Sequence, residues 1–357
     1  MKLEHNNILL ISPEPWSDMK VSKHHYADHL AQKNQVWFLN PPSQKFLITR
    51  KSNQLNIIDY KPKFKGLQYL PNWLNAIFIQ TELSRLETQV GHSFDIVWSF
   101  DPSRFFNLSK INAFKICHIV DWNQKYQRQT LAKTADICFS TSSYLQEELG
   151  KFNKHSYFIN HGYAERKIVE IDLPDQKDKR LKAGYVGNHN IKYLDWLLIH
   201  EVVTRHSEIL FYFIGPYNLE SGDPKMREVF LLENSRFLGK VDAGLVPSYL
   251  VKMDLLFLAY KADKFPKQLA NPHKLLEYLG SGKTIICTFT DEYKTFPNLV
   301  TMSEENGNFS QIFTRCVVEF RNLNYVHKSN EQLDFAINNT YDRQLKNIEN
   351  YLNAKIS

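Results

Sequence analysis

Short apolar runs, alternating with helix-length amphipathic stretches, constrain this chain more than any other feature. In the first half the runs are Ile8–Ser12, Gln35–Leu39, Ile96–Phe100, Lys115–Val120, Ile137–Ser140 and Tyr157–Ile159, with Lys23–Lys33 and Ser142–Lys151 among the stretches between them. In the second half they are Ala183–Val186, Leu210–Ile214, Arg236–Leu238, Leu255–Ala259 and Thr284–Cys287, with helix candidates at Leu194–Arg205, Pro247–Lys252 and Pro272–Leu279. A strand that is apolar on both faces must be covered on both, which is the situation of a parallel sheet sandwiched by helices. Two such sets in succession predict two doubly wound domains, and a chain of 357 residues is long enough for them at roughly 150 residues each. Between Ala164 and Lys182 charge dominates and almost nothing asks to be buried. We therefore expect a first domain over 1–164, a solvated linker over 165–182 and a second domain over 183–340. Leu345, Ile348 and Leu352 recur at helical spacing and predict a closing amphipathic helix over Tyr341–Leu352.

Composition removes several classes of function. The chain is 43% apolar and 23% charged, ordinary for a folded domain and unlike a disordered one. Its net charge of +6 is too small to announce a nucleic-acid binder, yet it suits an anionic membrane or phosphorylated substrates. Cys117, Cys138, Cys287 and Cys316 stand far apart in apolar surroundings, with no metal or redox spacing, and read as buried thiols. The run Ile8-Leu9-Leu10-Ile11 is short for a signal-peptide core, and no stretch approaches the length of a membrane span. The expected location is cytoplasmic, at most peripheral to the inner face of a membrane.

Several familiar motifs fail on inspection. Gly282-Lys283-Thr284 ends like a phosphate-binding P-loop, but the first glycine of that motif is replaced by Glu277, and a helix precedes the turn where a strand should. No GxGxxG, GxSxG or HExxH occurs, and no Asp-x-Asp pair that commonly holds a metal on nucleotide phosphates. A site without metal or cofactor is expected.

In open α/β sheets ligands bind beyond the carboxyl ends of the strands, and with two such domains the cleft between them is the expected place. The most informative stretch is Asn271-Pro272-His273-Lys274-Leu275-Leu276-Glu277-Tyr278-Leu279-Gly280-Ser281-Gly282-Lys283. Asn271 can cap a helix beginning at Pro272, with Gly280 just past its end. Leu275, Leu276 and Leu279 form its buried stripe, while Lys274 and Glu277 share the other side. A lysine near a helix start suits phosphate, and a carboxylate one turn later can accept two hydrogen bonds from a ribose diol. A solvated surface pair would have the same spacing.

The same stretch resembles the Pro-x-Lys-x-x-Glu-Tyr-Leu-x-x-Gly-Lys-Pro pattern in the nucleotide-sugar-binding domain of GT-B glycosyltransferases. Other segments resemble that family in order: Ala183-Gly184-Tyr185-Val186-Gly187 with Asp195 beyond it, Phe213-Ile214-Gly215-Pro216, Phe237-Leu238-Gly239, Val246-Pro247-Ser248-Tyr249-Leu250 and Asp254 to Tyr260. Ala135 to Ser142 and Asn160-His161-Gly162-Tyr163 are similar to its last acceptor-domain strands. Trp16, His24-His25 and Asn40-Pro41-Pro42 resemble the branch that includes the teichuronic acid transferases. The resemblance spans nearly the whole chain except about residues 43–90. It implies two Rossmann-like domains facing a central cleft, with 341–357 returning to the first domain. It also implies a glycosyltransferase that takes a nucleotide-diphosphate sugar as donor and a glycan or lipid-linked acceptor, in surface or capsular polysaccharide synthesis. The family roles would put the donor on Gly187, Asn188, Lys192, His161, Tyr260, Pro272, Lys274 and Glu277, with no metal. Many retaining relatives carry two glutamates separated by seven residues; the first of these positions is Leu269 here, which favours inversion.

An inverting transfer needs a general base. Asp121 directly follows one expected strand and Asp101 another, while His24 and His25 open the first helix. Strand-end aspartates also serve as turn formers. His161 stands at the domain junction, where contact with donor phosphate or sugar and a hydrogen-bonded turn are both open. Residues 43–90 mix Lys45, Arg50, Lys51, Lys61, Lys63 and Lys65 with Phe46, Phe64, Tyr69 and Trp73. Such a mixture suits an anionic leaflet or merely a solvated basic face; no RNA-binding signature accompanies it. A nucleotide-sugar 2-epimerase of the same fold, or a non-catalytic paralogue that binds nucleotide-sugar, are the alternative readings.

Overall fold

A computed structural model describes residues 2–17, 20–305, 307–322 and 329–356. The chain divides into two compact units, Met1–Gly162 with Tyr341–Ser357, and Tyr163–Thr340.

The first unit contains β1 (Asn7–Ile11), α1 (Ser22–Leu30), β2 (Gln35–Leu39), β3 (Leu47–Arg50), β4 (Leu55–Asp59), α2 (Asn72–Val90), β5 (Ile96–Ser99), β6 (Phe114–Ile119), α3 (Arg128–Thr134), β7 (Ile137–Ser140), α4 (Ser143–Gly150) and β8 (Ser156–Phe158). Its sheet runs β3-β4-β2-β1-β5-β6-β7-β8. All neighbours are parallel except β3, which folds back on β4 as an antiparallel edge. The central β1 is a run of Ile8 to Ile11 with no exposed surface, as a strand covered on both faces requires. Residues 43–90 hold β3, β4 and α2, which the apolar pattern did not single out. The buried face of α2 includes Asn75 and Glu82 beside Ala76, Ile79, Leu83 and Leu86. Asn75 accepts a hydrogen bond from Asn107 Nδ2 (2.7 Å), and Glu82 accepts the Lys63 N–H (2.7 Å). These polar residues serve tertiary contacts and interrupt the apolar stripe that would reveal the helix.

The second unit contains β9 (Leu181–Val186), α5 (Trp196–Arg205), β10 (Ile209–Ile214), α6 (Pro224–Phe230), β11 (Ser235–Gly239), α7 (Val246–Val251), β12 (Leu255–Leu258), α8 (His273–Leu279), β13 (Thr284–Cys287), β14 (Thr301–Met302), α9 (Phe309–Arg321) and α10 (Ser329–Asn338). Its sheet is parallel throughout, in the order β11-β10-β9-β12-β13-β14. The chain winds outward from β9 in one direction and from β12 in the other, so the topological switch lies between those two strands. All six residues of β10 are buried. Residues 165–182, expected as a solvated linker, are largely exposed but belong to this unit. Leu173 is buried in its core, the Val169 N–H donates to Ser248 Oγ (2.9 Å), and Tyr212 O–H donates to the Pro174 carbonyl (2.7 Å). One apolar side chain and a few backbone bonds hold down a segment whose charges conceal it.

The last helix, α11 (Tyr341–Ile356), belongs to the first unit. Ile348 and Leu352 are buried, the Tyr341 ring stacks on His25 at 4.7 Å, and Tyr351 stacks on Tyr157 at 4.2 Å. All four cysteines are free and buried. Among the described residues no helix is long and apolar enough to cross a membrane.

Candidate functional site

The residues after β9 and β10 form two nested turns at the switch point of the second sheet. The Gly187 N–H donates to the Ile214 carbonyl (2.8 Å), and the Gly215 N–H donates to the Gly239 carbonyl (2.8 Å). Gly187 has φ +153° and Gly215 +140°, conformations that side chains disfavour. Space enforces the same choice. A methyl group on Gly215 would lie 1.9 Å from the Gly187 carbonyl oxygen. One on Gly187 would lie 2.1 Å from Lys274 Cε and 2.9 Å from its Nζ. Lys274, on the first turn of α8, therefore lies directly against the glycine backbone at the end of β9.

Tyr278 fixes that placement. It follows Lys274 by four residues and is fully buried; the Val186 N–H donates to its hydroxyl (2.9 Å), and the hydroxyl donates to the Phe257 carbonyl (3.5 Å). The bonds tie α8 to both β9 and β12. Among the described residues Lys274 makes no ion pair, so its charge has no carboxylate to offset it. Glu277, half-buried one turn further on, stands 3.9 Å from His273 Nδ1, too far for a hydrogen bond. It also faces Tyr163, whose pKa is raised by burial, with the charges of Glu165 and Glu277 adding to the effect. The Tyr163 ring lies against Gly280, where a methyl group would be 2.3 Å from it.

One expectation about this region needs correction. The helix is capped by Pro272, in extended conformation, with no side-chain cap from Asn271. Gly187 and Asn188 do not stand at a helix start, because α5 begins only at Trp196 and Asp195 caps it by accepting the Leu198 N–H (3.1 Å). The Gly187 N–H is consumed by Ile214, so this glycine serves by letting Lys274 approach rather than by donating to a ligand. Asn188 is exposed and orders its own turn by accepting the Asn190 N–H (2.9 Å). Lys192 is exposed too, its ammonium over the rings of Tyr193 (5.2 Å) and Phe265 (5.5 Å). Tyr260 follows β12 and is buried, its N–H donating to Thr288 Oγ1 (3.0 Å).

His189 is the residue the sequence reasoning missed. It is buried, its N–H and its Nδ1–H both point at the Pro216 carbonyl (3.0 and 3.1 Å), and its own carbonyl accepts Trp196 Nε1–H (3.1 Å). This fixes the glycine turns to the sheet and leaves Nε2 unprotonated, with no partner among the described residues. Burial pushes its pKa down to about 4, against the hydrogen bonds to Pro216 and Gly215; the nearby charge of Lys274 acts with burial. Its signal in the sequence is only its place, two residues after Gly187.

In the first unit, the structure separates the candidate bases. Asp101 is buried and engaged: Oδ1 accepts the N–H and hydroxyl of Ser103 (2.8 and 2.6 Å), and Oδ2 accepts Arg104 Nε (2.5 Å). Arg104 also donates to the carbonyls of Ser12 and Asn40 and to the Tyr60 hydroxyl. It thus joins the segments that follow β1, β2, β4 and β5. Both carboxylate oxygens of Asp101 are thus engaged within the first unit. His24 is likewise engaged, accepting the Val21 N–H at Nδ1 (3.0 Å) and donating from Nε2 to Pro15 (3.0 Å), with its pKa lowered by burial. His25 is half-buried against Tyr341. Asp121 is exposed just past β6, and its Oδ1 accepts the Asn123 N–H (2.7 Å). His161 is buried near the end of the first unit's main segment and adds to the lowering of the His118 pKa, where burial is the main cause.

These two parallel-sheet units constitute the GT-B glycosyltransferase fold. Sucrose-phosphate synthase from Thermosynechococcus elongatus aligns with a TM-score of 0.70 at 12% identity, covering 98% of this chain and 99% of that one. Alr3699/HepE from Anabaena, solved with UDP and glucose, aligns at 0.67 and 13% identity, covering 98% and 100%. By sequence, the chain is 30% identical over 169 residues to the putative teichuronic acid biosynthesis glycosyltransferase TuaH of Bacillus subtilis. That match covers 44% of this chain and 41% of the relative's length. No family model matches the chain.

Proposed function

We propose that the protein is a glycosyltransferase that moves a sugar from a nucleotide-diphosphate sugar to a glycan or lipid-linked acceptor in surface polysaccharide synthesis. The observation that carries this reading is Lys274, held against Gly187 at the switch point of the second sheet without a counter-ion among the described residues, with Glu277 one turn beyond. The name of the sequence relative supplies the polysaccharide context.

In the reaction an acceptor hydroxyl oxygen forms a bond to the anomeric carbon as the bond to the diphosphate breaks. Negative charge gathers on the leaving diphosphate, and a preplaced ammonium at Lys274 stabilises it without reorganising. Glu277 accepts hydrogen bonds from the ribose. We assign the acceptor's proton to Asp121, since Asp101 and His24 are already committed to internal partners. Inversion is favoured because Leu269, at the position of the first glutamate of many retaining relatives, is packed in the second core and offers no carboxylate. The charge supplied by Lys274 fits a donor site that operates without a metal ion. We also propose peripheral contact with an anionic leaflet through residues 43–90, where Tyr69 is 84% and Trp73 66% exposed among lysines.

A thermal-shift panel with UDP, GDP, CMP and their sugar conjugates, with and without EDTA, tests the donor site. A ligand confined to the folded state raises the melting temperature by mass action. One nucleotide class is expected to shift it, EDTA to leave the shift intact, and Lys274→Gln or Glu277→Ala to remove it. A shift that survives both substitutions would move the donor elsewhere, and conversion of donor to an isomer without acceptor would make the protein an epimerase.

A further inference from the structure

We infer that the first unit carries a binding site for an anionic saccharide, in a cavity of about 430 Å³ formed by the loops after β4 and β5. The inference deepens the proposed function, since it names the chemistry of the glycan that the first unit takes. The volume falls in the range of small-molecule sites, roughly 300–1,000 Å³.

Its walls combine one accessible aromatic ring with polar groups. Phe64 contributes a half-buried ring, Tyr60 and Phe106 line the cavity as buried residues, and Gln44 and Gln68 contribute amide groups. A pyranose presents polarised C–H bonds on one face, which the negative face of an aromatic ring attracts, and hydroxyls around its edge. Phe64 is braced by Phe78 at 4.5 Å. The loop bearing it is pinned at two points: Glu82 accepts the Lys63 N–H (2.7 Å), and Arg85 donates to the Lys61 carbonyl (3.2 Å). The ring is thus held in place before any ligand arrives.

Charge selects the kind of saccharide. Four ionic side chains line the cavity besides any ligand, and two of them are occupied. Arg104 is paired with Asp101, and Glu82 with Arg85 at 3.6 Å. Lys61 and Lys65 are exposed and make no ion pair among the described residues. The surplus is therefore two positive charges beside the Phe64 ring, which fits a sugar bearing a carboxylate or a phosphate. The same chemistry can come from a uronic acid or from a sugar phosphate.

Saturation-transfer NMR and titration of the intact protein with glucuronic acid, glucose 6-phosphate, methyl glucoside and inorganic phosphate separate these sources. At least one anionic sugar is expected to bind, with the neutral glycoside and free phosphate each at least about tenfold weaker. Whichever anionic sugar binds identifies the source of the charge. Lys61→Gln with Lys65→Gln is expected to weaken that sugar about tenfold, as two partly screened charge pairs predict, with an unchanged melting temperature. Equal binding of methyl glucoside, equal binding of phosphate alone, no loss in the double variant, or affinity only for anionic vesicles would each overturn the site. Lys274→Gln is expected to leave this affinity untouched. Loss of the nucleotide shift with sugar binding intact would count against the donor assignment alone, and the converse against this cavity alone.

Discussion

Replacing Gly187 with alanine separates the two roles a glycine can play at the end of β9. The new methyl group would sit 2.1 Å from Lys274 Cε, 2.9 Å from Lys274 Nζ and 2.9 Å from the Tyr185 hydroxyl. Lys274 is the end of a flexible chain and can swing away, so the variant should fold. The φ of +153° adds backbone strain, about 1–3 kcal/mol, which lowers the melting temperature. The larger consequence is for nucleotide binding. A charge-assisted bond from lysine to phosphate contributes about 1.5–3 kcal/mol, so eviction of the ammonium should weaken a nucleoside diphosphate about 10- to 150-fold. Titration calorimetry on Gly187→Ala, Lys274→Ala and the double variant tests the reasoning as a cycle. If the glycine acts by admitting Lys274, the double variant binds no worse than Lys274→Ala, and the coupling energy equals the loss from either substitution. Lys274→Ala alone should leave stability near the parent, because that lysine has no ion pair to lose among the described residues. Effects that add to within about 0.5 kcal/mol would refute the argument and make the glycine a turn former only.

Asp101→Asn and Arg104→Ala should both behave as stability variants, since breaking a buried ion pair from one side costs about 3–5 kcal/mol; denaturant melts dominated by the first unit would show it, and a stable Asp101→Asn protein that fails only in turnover would restore Asp101 as base. Asp121→Asn should abolish transfer while keeping donor affinity, read by product formation alongside calorimetry; normal transfer would remove it from the chemistry. Burial holds His118 at about 3 and His189 at about 4 against an ordinary 6.5. The unfolded chain therefore takes up protons first as pH falls, so the stability these neutral rings contribute is complete above about pH 6.5 and is lost on acidification through their folded values. Each should add roughly 1.4 kcal/mol per pH unit to the slope below 6.5, and His118→Phe should remove its share in melts taken from pH 7 to 4.5; an unchanged slope would place water beside that ring.

The legible part of the fold is the part where burial acts on both faces of a strand. Ile209–Ile214 and Ile8–Ile11 could hardly be anything but central strands, because no other local structure disposes of so many consecutive apolar groups. Leu55–Asp59 and Leu47–Arg50 were missed for the opposite reason: β3 is an exposed edge, and Asn56 interrupts the apolar run of β4. Helix α8 was legible through its buried stripe of Leu275, Leu276 and Leu279, with Lys274 and Glu277 three residues apart on its other side. Arg104 was not. Its partners follow four different strands, and its hydrogen bonds reach back 92 residues to Ser12. Nothing periodic marks a residue whose importance comes from bringing distant loops together.

The same contrast decides among the polar residues at the strand ends. By sequence Asp101 and Asp121 are equivalent, each directly beyond a parallel strand. In the structure Asp101 has both oxygens engaged by Ser103 and Arg104, whereas Asp121 is exposed and, among the described residues, its carboxylate accepts only the Asn123 N–H of its own turn. His24 and Lys274 differ in the same way: one has a partner for each ring nitrogen, and the other presents a charge with no counter-ion among the described residues. A buried polar group whose bonds are all made internally contributes to stability and has no free valence for a ligand. A group that folding positions but leaves unsatisfied has its desolvation cost partly met already and still lacks a partner, which is the condition for binding or catalysis. By that criterion Lys274 and Glu277, both half-buried in the second unit, are the residues where substitution should alter function before it alters the fold.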